Sequence, residues 1–210
     1  MYLPAHFAES QPEELHRIIR EHPLGMLVTT TQAGLDANHV PFLLDSSRGP
    51  SGTLVAHVAR ANPVWKEVTD GAAVLVIFLG AQGYVSPNWY LSKQETHRHV
   101  PTWNYEVVHA HGRFRVHDDA RHVGGVVARL TREHEANLPD PWKMSDAPAD
   151  FLAQKLGQIV AIEVEITRLV GKRKLGQNRE ARDIDSTVAA LDQHGHAELA
   201  AAMRRARSDQ

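Results

Sequence analysis

Apolar positions along the chain fall mostly into short runs and alternating stretches, with helical spacing in only a few places. Leu24 to Thr31 is rich in β-branched residues, Gln32-Ala-Gly-Leu35 is turn chemistry, and Asp36 to Leu44 brings the chain back. This pattern predicts a hairpin. Thr53 to Ala59 and Ala73 to Leu79 predict two further strands, the second apolar on both faces and therefore central. Tyr105 to Val116 alternates over the length of a long strand. Ile162, Val164 and Ile166, interleaved with Glu163, Glu165 and Thr167, make the clearest amphipathic strand, and the two glutamates are expected on its solvent side.

Helical signals are fewer. Ser10-Gln-Pro-Glu13 is a capping box with proline near the first turn, followed by the stripe Leu15, Ile18, Ile19 and a stop at Pro23. Asn62-Pro63 opens a short helix reaching Val68. Asp118 to Ala136 has helical spacing through Val123, Val126, Val127 and Leu130, weakened by Gly124-Gly125. Pro148 to Leu156 predicts one more short helix. After Asp183 the composition turns to Ala, Asp, His and Arg, so residues 1–182 read as one domain and 183–210 as a helical C-terminal appendage. Helices scattered irregularly among strands do not make a doubly wound fold, and neither GxGxxG nor GxxxxGK[ST] is present. A mainly β fold fits, an antiparallel sheet or small barrel with flanking helices.

Charge changes the picture by removing partners. Among 210 residues, 23 Lys and Arg face 25 Asp and Glu, a net charge of −2, which leaves no global field to hold nucleic acid or an anionic membrane. Cysteine is absent, which excludes disulfide scaffolds, thiolate metal sites, iron–sulfur clusters and thiol nucleophiles. Histidine is over-used, at 14. Met1 to Ser10 has neither a basic segment nor a long apolar stretch, and the apolar runs are too short to span a bilayer. A cytoplasmic protein without a membrane partner is expected.

Three segments could carry chemistry. Tyr84 to Tyr105 gathers three of the four tyrosines and two of the four tryptophans with Ser86, Lys93, His97, Arg98, His99 and Thr102. Aromatic faces beside hydroxyls and cations suit a planar ligand with a polar tail. His57-Val-Ala-Arg-Ala-Asn-Pro63 joins a strand end to a helix start, where Arg60, Asn62 and free N–H groups could hold a phosphate; a plain Asn–Pro cap is the alternative. Arg168 to Arg179 carries five basic residues and no acid, and is expected as a loop after the amphipathic strand. It could be a solvated run, a phosphate loop or a local nucleic-acid contact. His97-x-His99 and His109-x-His111 each place two imidazoles on one face, but no third ligand follows at a recognisable spacing, so no metal site is assigned. GxSxG is missing, which argues against a hydrolase.

The motifs MYLPAHF, HVARANP, YVSPNWY, VPTWNYEVVHAHG, WKM and GKRKLGQNR together resemble the PaiB-type FMN-binding negative transcriptional regulators, which share the split β-barrel of pyridoxamine-phosphate-oxidase-like flavoproteins. The resemblance implies a homodimer with FMN at the subunit interface. By motif, it places Asn38, His39 and Val40 beside the isoalloxazine, and His57, Arg60 and Asn62 on the phosphate side. It adds Ser86, Trp89 and Tyr90, then Thr102, Trp103 and Asn104, and Lys174 reaching the flavin from the partner subunit. Gly176 departs from the family's KLSQN, where serine is expected. The regulator role would make DNA a partner, yet no helix-turn-helix, zinc finger or basic face beyond one short segment is present. Two alternatives stand beside it. One is an FMN-dependent oxidoreductase, with His57, His97 or His99 as proton donors. The other is a flavin-free metabolite- or haem-binding module that uses the histidines.

Overall fold

A computed structural model describes residues 1–208. Eight strands form one sheet: β1 (Ala8–Glu9), β2 (Leu24–Thr31), β3 (Gly34–Pro41), β4 (Leu43–Asp45), β5 (Thr53–Ala59), β6 (Ala73–Val85), β7 (Thr102–His117) and β8 (Ile159–Lys174). Their order is β3-β2-β6-β7-β8-β5-β4, with β1 paired to β8 off that path, and the path is not closed. The helices are α1 (Pro12–Glu21), α2 (Val64–Glu67), α3 (Lys93–Thr96), α4 (Ala120–Glu135), α5 (Ala149–Leu156), α6 (Ala181–Gln193) and α7 (Ala197–Ser208). The mainly β, helix-flanked architecture is the expected one. The chain divides into two compact units. One holds 1–18, 79–108 and the described part of 170–210, and the other holds 19–78 and 109–169.

In the second unit, β2 and β3 form the expected hairpin, in antiparallel register from Leu24↔Pro41 to Thr31↔Gly34. The returning strand is shorter than its sequence pattern. It breaks at Phe42, whose N–H bonds to Pro23 O at 2.8 Å, and Leu43–Asp45 leave the hairpin to pair with Thr53–Val55 of β5. Proline at the end of β3 offers no N–H to a continued ladder, which ends the pairing there. Helix α4 begins at the Asp119 cap, whose carboxylate accepts the His122 N–H at 2.8 Å, and it buries Val123, Val126 and Leu130 against Val55 and Ala161. That apolar stripe holds the helix across Gly124-Gly125. Gly112 on β7 allows a close backbone approach, because a Cβ there would lie 2.5 Å from both Glu165 O and Val164 Cγ1.

In the first unit, α1 starts at Pro12 rather than at a Ser10 cap. The Gln11 carbonyl accepts from Glu14 and Leu15, and Gln11 N–H donates to Glu9 Oε1 at 2.8 Å. The Glu9 carboxylate from the short β1 thus takes the N–H just ahead of the helix. Strand β8 runs on through Lys174, so Arg168 to Lys174 is strand and not loop. Helices α6 and α7 bury Ile184, Val188, Leu191, Leu199, Ala202 and Met203 with Ala81 and Leu175, forming the unit's apolar core. In the second unit, Val76, Val160, Ile162 and Val164 are likewise buried, which accounts for their strand-forming runs.

Gly112→Ala should destabilise the protein by about 2 kcal/mol or more, because the obstacle is backbone and cannot rotate away. Urea unfolding checks it, and an unchanged midpoint would refute the close approach.

Candidate functional site

Seven of the residues assigned to the flavin lie in the first unit. On β7 and β8, Lys174 Nζ donates to Thr102 Oγ1 and, at 2.7 Å, to Trp103 O. Burial pushes the Lys174 ammonium down from its ordinary pKa. The Trp103 side chain beside it is 51% exposed, and its indole N–H donates to Gln82 Oε1 at 3.2 Å. The exposed indole thus lies beside an amide, and the half-buried ammonium beside the hydroxyl of the neighbouring residue, whose side chain leaves the other face of β7. Gln82 was not foreseen, because one glutamine in a strand gives no sequence signal.

The loop from Ser86 builds a second group. Ser86 Oγ accepts the Asn88 N–H and caps the 3₁₀ turn Pro87–Trp89. Tyr90 is buried between His99, ring centroids 5.1 Å apart, and the Arg179 guanidinium 5.0 Å over its ring. Ser92 Oγ lies 2.8 Å from His99 Nε2, but it donates to Asp183 Oδ2 at 2.5 Å. Burial pushes the Asp183 carboxyl up, but hydrogen bonds from the Ser92 hydroxyl and N–H outweigh it and hold the group below the usual range. A hydroxyl whose proton is committed to a buried carboxylate is a clasp rather than a nucleophile. Trp89 O accepts from Ser186 Oγ at 2.6 Å, and Asn104 is buried with its amide on Met203 Sδ at 3.5 Å, so both also tie this loop to the C-terminal helices. Gly176 has φ +89, a left-handed conformation in which a serine would be strained by about 1 kcal/mol.

The basic run is mostly internal. Lys172 and Arg173 are buried, the first with its ammonium 5.3 Å from the Tyr105 ring. Arg173 reaches Glu106 at 3.1 Å, Glu9 at 3.2 Å and Glu14 at 3.3 Å, while Arg17 donates to Glu14 at 2.7 Å and Glu106 at 3.1 Å. The expected loop is thus corrected, over residues 168–174, to a strand in which Arg173 neutralises the buried Glu106 and the partly buried Glu9 and Glu14.

The other six assigned residues lie in the second unit. Asn62 Nδ2 donates to Asn38 Oδ1 at 2.7 Å, while Asn62 Oδ1 caps α2 through Val64 N–H. Val40 is buried, and His39 lies opposite Met26, on the other face of the hairpin from Asn38 and Val40. Arg60 forms a two-pronged pair with Asp118, at 3.0 and 2.5 Å, and donates to Gly157 O and Ile159 O. Its guanidinium thus fastens the end of β5 to the start of β8. His57 is half-buried with Nδ1 unpartnered, and burial pushes its pKa down from 6.5. Glu163 corrects the expected solvent face of β8. It is 2% exposed, and Arg48 donates to both of its oxygens at 2.7 Å. Burial pushes Glu163 up, but Arg48 overrides it and keeps the carboxyl below the usual range.

A histidine with a depressed pKa binds its proton more weakly in the fold than when unfolded, so its contribution is full above 6.5 and falls with pH below it. Asp183 and Glu163 are also depressed, but they lose stabilisation only below about pH 4.5. The pH 7 to 5.5 window therefore reports histidines, His109 and His111 among them. His57→Gln should reduce the loss of unfolding free energy across that window, measured by urea titration; an unaltered slope would refute the burial effect. Arg173→Met should cost about 2 kcal/mol or more by leaving the buried Glu106 with Arg17 as its remaining guanidinium partner, measured the same way.

A family model described as "Putative FMN-binding domain" matches residues 1–168. An uncharacterised protein of Aspergillus fumigatus is 32% identical over 240 aligned positions, covering 93% of this chain and 92% of that protein. The "Protease synthase and sporulation protein PAI 2" of Bacillus subtilis is 28% identical over 191 positions, covering 91% and 89%. Among solved structures, the flavocytochrome Anf3 of Azotobacter vinelandii superposes with a TM-score of 0.56 at 12% identity, covering 80% of this chain and 69% of that one. An FAD- and heme-binding protein of Mycobacterium smegmatis gives 0.55 at 18%, covering 87% and 79%. These two structural likenesses bear on the fold. With the family match spanning most of the sequence, the chain belongs to the FMN-binding domain family.

Proposed function

We propose that the chain binds FMN as a homodimer and that the flavin serves redox chemistry on a small molecule. The observation that carries the reading is the Trp103–Lys174–Thr102 group. An exposed indole offers a stacking face, and the ammonium and hydroxyl are donors for the polar end of a flavin. Bound FMN would supply the electron chemistry, while these residues bind and orient it.

The dimer rests on the outer face of β2 and β6. Register places Met26 opposite Ile77 and Val28 opposite Leu75, so these four and Leu24 share one face, the opposite one from buried Leu27 and Val76. Leu24 is 58% and Met26 36% exposed. Val28, Leu75 and Ile77 beside them are half-buried, and an apolar sheet face that is not covered within the chain is the kind of surface that a second copy covers. The alternative role, repression of transcription, needs a basic surface for DNA, and in the densest basic run Lys172 and Arg173 are buried, Arg173 against Glu9, Glu14 and Glu106. That favours the redox reading over the regulator. No helix among the described residues is long and apolar enough to cross a membrane.

Two outcomes are expected. Lys174→Met should weaken FMN binding by about tenfold, roughly 1.4 kcal/mol, measured by flavin fluorescence quenching; equal affinity would remove Lys174 from the site. Met26→Glu should convert the dimer to a monomer in light scattering after size exclusion, and an unchanged mass would move the interface elsewhere.

A further inference from the structure

A cleft in the 109–169 part of the chain lies outside every residue assigned to the flavin. One wall is a face of α4. Ala128, Thr131, Arg132 and Glu135 follow the i, i+3, i+4, i+7 spacing of a single helix face, turned away from the Val123, Val126 and Leu130 stripe that packs on Val55 and Ala161. The opposite wall is Pro141, Trp142 and Met144, from the segment that follows the helix. Between them lies a volume of about 430 Å³, the size of a small-molecule pocket.

Both walls are tied together by the chain's own hydrogen bonds. Leu138 N–H donates to Glu135 O at 3.0 Å, which turns the chain off the helix. Trp142 N–H then donates to Glu135 Oε2 at 2.8 Å and brings the segment back over α4. Beyond it, Lys143 N–H donates to Asp146 Oδ2 at 2.8 Å, and Asp146 N–H donates to Lys143 O at 2.9 Å, closing the 3₁₀ turn Met144–Asp146. Walls set in advance spare a ligand part of the ordering cost.

The chemistry of the lining names the ligand. The Trp142 side chain is 43% exposed and gives the cleft a flat apolar surface, with the small Ala128 and Ala136 leaving room beside it. A planar ring fills such a space best, by offset stacking or edge contact with the indole. Three charged side chains line the cleft. Glu135 is already committed to the Trp142 N–H, whereas neither Arg132 nor Lys143 has an acid partner among the described residues. Two unpaired cations against one acid favour an anion, and the planar guanidinium can grip a carboxylate with two N–H donors. We propose that this cleft binds a small aromatic carboxylate, its ring against Trp142 and its carboxylate held by Arg132 with Lys143 adding charge. This site does not rest on the flavin reading.

The test is calorimetric titration of the full-length protein with 2-naphthoate, and with 2-naphthamide as its uncharged match, each with and without saturating FMN. Naphthoate should saturate one site per chain, about tenfold tighter than the amide or more, with the same affinity in both preparations. Trp142→Ala should weaken naphthoate by about tenfold through loss of the stacking wall. Arg132→Met should bring naphthoate down to the affinity of the amide. Glu135→Gln keeps an oxygen for the Trp142 N–H but removes the acid, and should tighten naphthoate severalfold. Circular dichroism confirms that each variant is folded. Absence of saturable binding, displacement by FMN, or equal affinity for acid and amide would overturn the proposal, as would an affinity unaltered by both Trp142→Ala and Arg132→Met.

Discussion

Charge burial on one strand organises this protein. Strand β8 carries Glu163 at one end and Arg173 at the other, both buried, and an ion out of water is tolerated only with a counter-ion in good geometry. Each unit meets that demand from distant sequence. Glu163 takes the Arg48 fork from the loop before β5, and Arg173 takes Glu106 from β7 with Glu9 and Glu14 from the N-terminal segment. These pairs set which strands and loops meet. Breaking one would leave a lone buried charge, a larger penalty than most apolar deletions.

The same demand limits what the sequence discloses. Strand positions that bury an aliphatic face, such as Leu24–Thr31, Thr53–Ala59 and Ile162–Ile166, are legible because period-two alternation is local. The ends of β8 are not. Glu163 alternates with apolar residues as a solvent-facing glutamate would, and Lys172 and Arg173 sit in a basic run as loop residues would. Their burial depends on Arg48, Glu9, Glu14 and Glu106, each remote in sequence. The break at Phe42 was hidden for a similar reason, since β4's partner is the later strand β5.

The candidate flavin site was legible as motifs but not as geometry. Thr102, Trp103 and Lys174 come together, as do Asn38 and Asn62, although nothing in their spacing required it. Arg60, which beside a helix start reads as a phosphate grip, has its guanidinium engaged by Asp118 and two carbonyls. Trp89 and Asn104 tie the aromatic segment to the C-terminal helices, while Ser86 caps its own turn and Tyr90 packs between His99 and Arg179. His117 and His122 carry no local signal, because their common partner Glu163 lies on a strand beyond α4 and α5.

The most direct test of the account is equilibrium titration of the purified chain with FMN, followed by absorbance while sedimentation reports the mass. The account predicts saturable uptake of one flavin per chain by a dimer. A colourless protein that takes up no FMN, whatever its oligomeric state, would contradict it.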